Sequence, residues 1–84
     1  MLERTVKIEL ETGLQARPAA QFVQKANRYA CDIFIEKDTK RVNAKSIMGL
    51  MSLAVGFNEE ILLIADGTDE EVALSELIKF VDHS

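Results

Sequence analysis

The chain has 84 residues, a net charge of −4 and ordinary apolar and charged content, which points to one small folded domain rather than a disordered segment. No apolar run approaches the roughly 18 residues that span a membrane. No cluster of Lys and Arg offers the basic stripe that direct nucleic-acid binding needs.

The opening "MLERTVKIEL" alternates and carries charge, unlike a signal peptide. From Thr5 to Leu10, Val6, Ile8 and Leu10 share one face and Lys7 and Glu9 the other, which predicts a half-buried strand. Gly13 breaks it. In "TGLQARPAA", residues 12–20, Pro18 suits the first turn of a helix, where its missing N–H costs nothing. Ala19, Phe22, Val23, Ala26 and Ala30 follow at helical spacing, so a helix is expected from about Ala16 to Arg28.

"CDIFIEKDTKRVNA" reads as two strands around the polar turn Lys37-Asp38-Thr39-Lys40, with Ile33 and Ile35 facing opposite to Phe34 and Val42 restarting the pairing. Ser46 opens a short helix in "SIMGLMSLAVG". After a loop from Gly56 to Glu60, "EILLIAD" is nearly continuous in apolar residues and reads as an interior strand. Thr68 and Glu71 have capping-box spacing. Val72, Ala73, Leu77, Ile78 and Val81 supply the apolar stripe of a last helix. The order β-α-β-β-α-β-α implies a two-layer α+β sandwich, because the helices bury their stripes by covering the sheet.

Catalytic and metal chemistry find little purchase. His83, the sole histidine, stands beside the C-terminus. Cys31 is alone, so no internal disulfide forms and a reducing cytoplasm is the simplest setting. It has no histidine near it in sequence and reads as a small core or edge residue. No spacing matches a zinc site, a nucleotide-binding loop or a nucleophile–base pair, so no catalytic residue, metal or cofactor is expected. The acidic residues after Thr68 suit a solvated helix start.

Two segments carry more. In "TGLQARPAA", Gln15 and Arg17 stand at a helix N-terminus, where backbone N–H groups favour an anion and a guanidinium adds bidentate phosphate binding. Glutamine itself offers no ring nitrogen to carry a phosphoryl group. In "NAKSIMGLMSLAVG", about 100° per residue places Ser46, Leu50, Leu53 and Ala54 on one side and Ile47, Met48 and Met51 on nearly the opposite one. So short a helix on a sheet cannot bury both sides. Leu50 and Leu53 are the natural core pair, which leaves Ile47, Met48 and Met51 as an exposed, methionine-rich patch suited to protein contacts. Ser46 is a favoured N-cap, and a phosphate on it would meet the positive pole of the helix.

These two segments resemble the HPr family, phosphocarriers of the sugar phosphotransferase system, and the resemblance covers the whole chain in the same element order. The family motif His-Ala-Arg-Pro is Gln15-Ala16-Arg17-Pro18 here, while Lys45-Ser46-Ile47-Met48-Gly49 is intact. The resemblance is strongest to the catabolite-repression branch that lacks the histidine. It implies an HPr-like open-faced sandwich, a four-stranded antiparallel sheet covered by three helices. It also implies phosphorylation of Ser46 by an ATP-dependent HPr kinase/phosphorylase and a corepressor role with the catabolite control protein CcpA, with no enzymatic activity. Arg17, Gln15, Ile47, Met48 and Met51 become the implied partner contacts. A phosphocarrier with its histidine replaced is the competing reading, and a regulator of a metabolic enzyme is a third. A monomer and a strand-exchanged homodimer are both open, because the family topology puts the first strand at a sheet edge.

Overall fold

The computed structural model describes residues 1–82, so His83 lies outside the described residues. The elements are β1 (Leu2–Lys7), α1 (Ala16–Ala26), β2 (Asp32–Lys37), β3 (Lys40–Asn43), α2 (Ile47–Leu53), β4 (Glu60–Asp66) and α3 (Glu70–Val81). The strands form one antiparallel sheet in the order β1-β4-β2-β3. The three helices cover one face of that sheet, as the open-faced sandwich requires.

Strand β4 is interior because its sequence is apolar on both faces. Ile61, Leu63 and Ala65 point into the helix-covered core, with Ile33 and Ile35 of β2 beside them. The opposite face carries Leu62, Ile64 and Phe34, of which Ile64 is itself buried between its strand neighbours. The β2–β3 hairpin turns on Asp38 and Thr39, both at positive φ (51° and 69°), the conformation a two-residue turn needs to match strand twist.

The N-terminal strand lies earlier than its alternation suggested. Pairing with β4 runs from Leu2↔Ala65 to Lys7↔Glu60. Beyond it, Ile8, Glu9 and Leu10 continue as an extended segment held by Glu59 and Val81 rather than by a strand ladder. Alternation reports which face is buried; it does not report where the partner strand ends. Helix α1 likewise stops at Ala26, and Ala30 lies past it in a turn.

In helix α3, Ala73, Leu77, Ile78 and Val81 face the core as expected, and Leu74 takes the place expected for Val72. Val72 is 51% exposed, whereas Leu74 is 2% exposed and packs in the core with Ala73, Leu77 and Val81. Its start also differs from a Thr68/Glu71 box. The Glu70 carboxylate accepts from the Gly67 N–H (3.0 Å), and Asp69, the N-cap residue, makes no cap bond with its side chain. Its carboxylate instead accepts the backbone N–H groups of Ala30 (2.8 Å) and Cys31 (2.9 Å). Those bonds, led by Ala30, hold the Asp69 carboxyl below the usual aspartate range. The Cys31 thiol is pushed up to about 11, first by burial and then by its hydrogen bond to Asp69, which keeps it an inert thiol near neutral pH.

Two outcomes follow. In urea titrations, Leu74→Ala loses about 2–5 kcal/mol, and Val72→Ala changes stability by less than about 0.5 kcal/mol. Because the folded Asp69 carboxyl titrates below its unfolded value, its stabilisation is present above about pH 4 and disappears as pH falls through the lowered folded value. Asp69→Asn is therefore less stable than the parent at neutral pH, and the difference closes in acid. A gap that does not narrow below about pH 4 contradicts that role for the charge.

Candidate functional site

The loop before α1 is built to meet the end of α2. Gly13 adopts φ +72°, and a Cβ there would lie 2.3 Å from the Val55 carbonyl oxygen, so no larger residue fits without moving backbone. One residue on, the Leu14 N–H donates to the Val55 oxygen (3.0 Å) and the Leu14 side chain is fully buried. This stitch fixes the chain direction into Gln15. Gln15 is the N-cap residue of α1 in extended conformation and makes no side-chain cap bond. Ala16 follows at φ +52°, a left-handed geometry that costs a non-glycine residue about 1–2 kcal/mol. Gln15 and Arg17 are exposed, and Arg17 has no ion pair or side-chain hydrogen bond among the described residues. The guanidinium stands free near a helix N-terminus that carries no acidic residue in its first turn.

Helix α2 is held at both ends. Asn43 Oδ1 accepts the Lys45 N–H (2.8 Å), and the Ser46 N–H donates to the Asn43 backbone carbonyl (3.1 Å), which turns the chain from β3 into the helix. The Lys45 ammonium is drawn aside, donating to the Tyr29 carbonyl at 2.7 Å. Ser46 Oγ then accepts the Gly49 N–H at 3.1 Å, so Ser46 caps the helix while remaining exposed. Gly49 brings α2 close to the sheet: a Cβ there would stand 3.3 Å from Val42 Cβ. At the far end, the Lys37 ammonium donates to the Leu53 and Ala54 carbonyls (3.3 and 3.1 Å). A cation there complements the negative pole of the helix. It also pairs with Glu59 (3.1 Å), whose carboxyl is held below the usual range by the Gly56 N–H first and Lys37 second.

Held this way, α2 buries one side. Leu50 and Leu53 are in the core, while Ile47, Met48 and Met51 are 37%, 80% and 52% exposed. Among the described residues, three of the six large exposed apolar side chains thus lie on one seven-residue helix. Phe57, 54% exposed in the loop after α2, is a fourth. In the sequence it is a loop residue, and its only signal is a bulky aromatic directly after Gly56. Helices α1 and α2 pack together. The Leu14–Val55 stitch places Gln15 toward the end of α2 that is opposite Ser46, and α2 is about 10 Å long. The Gln15 loop thus meets the C-terminal end of α2, and Ser46 caps the N-terminal end. Among the described residues, no group of three His, Cys, Asp or Glu could hold a metal ion, and no helix is long and apolar enough to cross a membrane.

A helix-covered four-stranded sheet, with an exposed loop and a capped serine on the helical side, defines a small α+β open-faced sandwich. Residues 2–83 match the family model described as PTS HPr component phosphorylation site, and the chain belongs to the HPr family. It is 61% identical to the HPr-like protein Crh of Halalkalibacterium halodurans over 98% of both chains. Identity to Crh of Bacillus subtilis is 60%, over 96% of this chain and 95% of that one. The phosphocarrier protein HPr of Treponema pallidum is 47% identical over 92% of this chain and 88% of its own. Among solved structures, HPr of Bacillus anthracis superposes with a TM-score of 0.94 at 56% identity, covering 95% of each chain. A crystal structure of Crh from Bacillus subtilis, described as a dimer with a swapping domain, gives 0.80 at 58% identity, covering 100% of this chain and 97% of that one.

The facing of α2 has a direct check. Met48→Asp leaves the thermal midpoint within a few degrees of the parent, whereas Leu50→Asp buries an unpaired charge and abolishes cooperative folding. Circular-dichroism melts of the two variants read the difference.

Proposed function

We propose that this chain is a regulatory HPr-like protein of carbon catabolite repression, a cytoplasmic binding module and not an enzyme. HPr kinase/phosphorylase phosphorylates Ser46: Oγ attacks the γ-phosphorus of ATP, the bond to the ADP oxygen breaks, and the hydroxyl proton leaves. The phosphorylated form is a corepressor of CcpA. The observation that carries this reading is an exposed serine hydroxyl at the start of a helix whose outer side is Ile47, Met48 and Met51. Near-full-length similarity to Crh proteins supports it. So does Gln15, which stands where the family motif has its phosphorylated histidine and offers an exposed amide with no nucleophilic nitrogen.

Phosphorylation adds recognition more than it changes shape. The phosphate meets the positive pole of α2 and its first-turn amides, so the helix tolerates it. It sets nearly two negative charges beside an apolar patch, where a basic residue of the regulator grips them. Arg17, unpaired beside the other end of α2, is a further cationic contact for the partner, and the phosphate's oxygens accept more than one contact from that partner. Charge-assisted contacts contribute about 1.5–3 kcal/mol each, so two of them give an affinity gain of about a hundredfold or more. Calorimetric titration of the regulator tests this with phosphorylated, unphosphorylated and Ser46→Ala protein. The phosphorylated form binds far more tightly, and Ser46→Ala binds like the unphosphorylated form while losing about 1 kcal/mol of stability with its cap. Equal affinity in all three reduces Ser46 to a helix cap and withdraws the corepressor role.

A further inference from the structure

The chain has three methionines, and the fold keeps all of them out of the core. Met48 and Met51 stand on the outer side of α2, 80% and 52% exposed, and their spacing makes them neighbours on the helix surface. Met1, also exposed, lies just ahead of edge strand β1, whereas α2 packs beside β3 at the opposite edge of the sheet. We propose that Met48 and Met51 are a paired oxidation site, whose conversion to methionine sulfoxide by a peroxide releases the regulator from the α2 patch without unfolding the domain. This control rests on the corepressor reading of Ser46 and acts in the opposite sense on the same surface.

A thioether reacts without losing a proton, so access decides which methionine is oxidised. A sulfur lone pair attacks one oxygen of hydrogen peroxide. The S–O bond forms and the O–O bond breaks. The hydroxide that leaves takes the proton of the transferred oxygen and becomes water. Sulfur gives up two electrons and the peroxide takes them. The competing sulfur of the chain is shielded. Cys31 is buried, and its thiol is pushed up to about 11, by burial first and by its bond to Asp69 second. It therefore presents almost no thiolate to an oxidant at neutral pH, and peroxide meets the methionines first. Methionine sulfoxide reductases, one for each sulfoxide epimer, return the thioether, so the change is reversible.

The position of the two side chains separates binding from folding. A sulfoxide is a polar group on what was a flexible apolar side chain. In the free protein the change is mild. Both side chains already face water, Leu50 and Leu53 hold α2 to the core, and Ser46 Oγ and the Lys37 ammonium hold its two ends. Against a partner's apolar surface the change is severe, because the sulfoxide oxygen loses its water and gains no donor there. Ile47, the third apolar residue of the patch, is inert to peroxide. The methionines supply the adaptable part of this surface, and that part is the one oxidation removes.

The test treats the Ser46-phosphorylated full chain with hydrogen peroxide, removes the peroxide, and titrates the regulator calorimetrically. Peptide mass mapping finds one added oxygen on each of Met48 and Met51 while Cys31 stays a free thiol, and the thermal midpoint stays within a few degrees. Affinity falls by about tenfold or more, and the two sulfoxide reductases restore it. The variant Met48→Leu/Met51→Leu has its own starting affinity, which peroxide leaves unchanged. Equal affinity of the parent before and after oxidation overturns the proposal and leaves the corepressor reading standing. An equal loss in the leucine variant, or a midpoint that collapses along with the affinity, also overturns it. A parent that does not bind even before oxidation overturns both. Should the leucine variant bind too weakly to titrate, recovery of the parent by the reductases decides alone, and no recovery once the sulfoxides are reduced sinks the idea.

Discussion

Everything in this fold leans on one strand. Ile61, Leu63 and Ala65 of β4 are the contact on which the other elements converge: β1 and β2 pair with that strand on either side, and the helical layer closes over it. A chain this short has only enough helix to cover one face of its sheet. Its stability comes from that single layer of contacts, within the roughly 5–15 kcal/mol that small domains possess. The connections are therefore fixed by point contacts. Asp69 binds the Ala30 and Cys31 amides, Leu14 is tied to Val55, and Glu9 to Val81.

The same economy of material produces the functional face. A helix of seven residues has one side to bury, and α2 spends it on Leu50 and Leu53. Its other side is apolar too, which the protein tolerates at the cost of an adhesive surface. Ser46 and Lys37 hold the two ends of this helix, and Gly49 seats it against β3, so the patch is presented on a rigid support. Rigid presentation lowers the ordering cost of binding. A charge added at Ser46 then acts on a surface already shaped for a partner.

Strand β1 shows how the second free surface arises. The helices cover faces, and none of them covers an edge. Glu3 and Lys7 put charges of both signs along that edge, and charged edges discourage indiscriminate pairing.

The sequence by itself determined the element order, the sheet's interior strand, the two segments that carry the family resemblance, and the side of α2 that carries Leu50. Each of these is local: a period of 2 or 3.6, a cap residue, a glycine at a break. Tertiary structure showed that Leu74 and not Val72 is buried in α3, although the spacing of Leu74, Leu77, Ile78 and Val81 already fits a helical stripe. It decided that Asp69 serves the start of β2 and not its own helix, a bond spanning nearly forty residues of chain. It also decided the limits of β1 and the exposure of Phe57. Where a strand ends and which aromatic stays in water depend on the atoms brought opposite, and those come from distant parts of the chain.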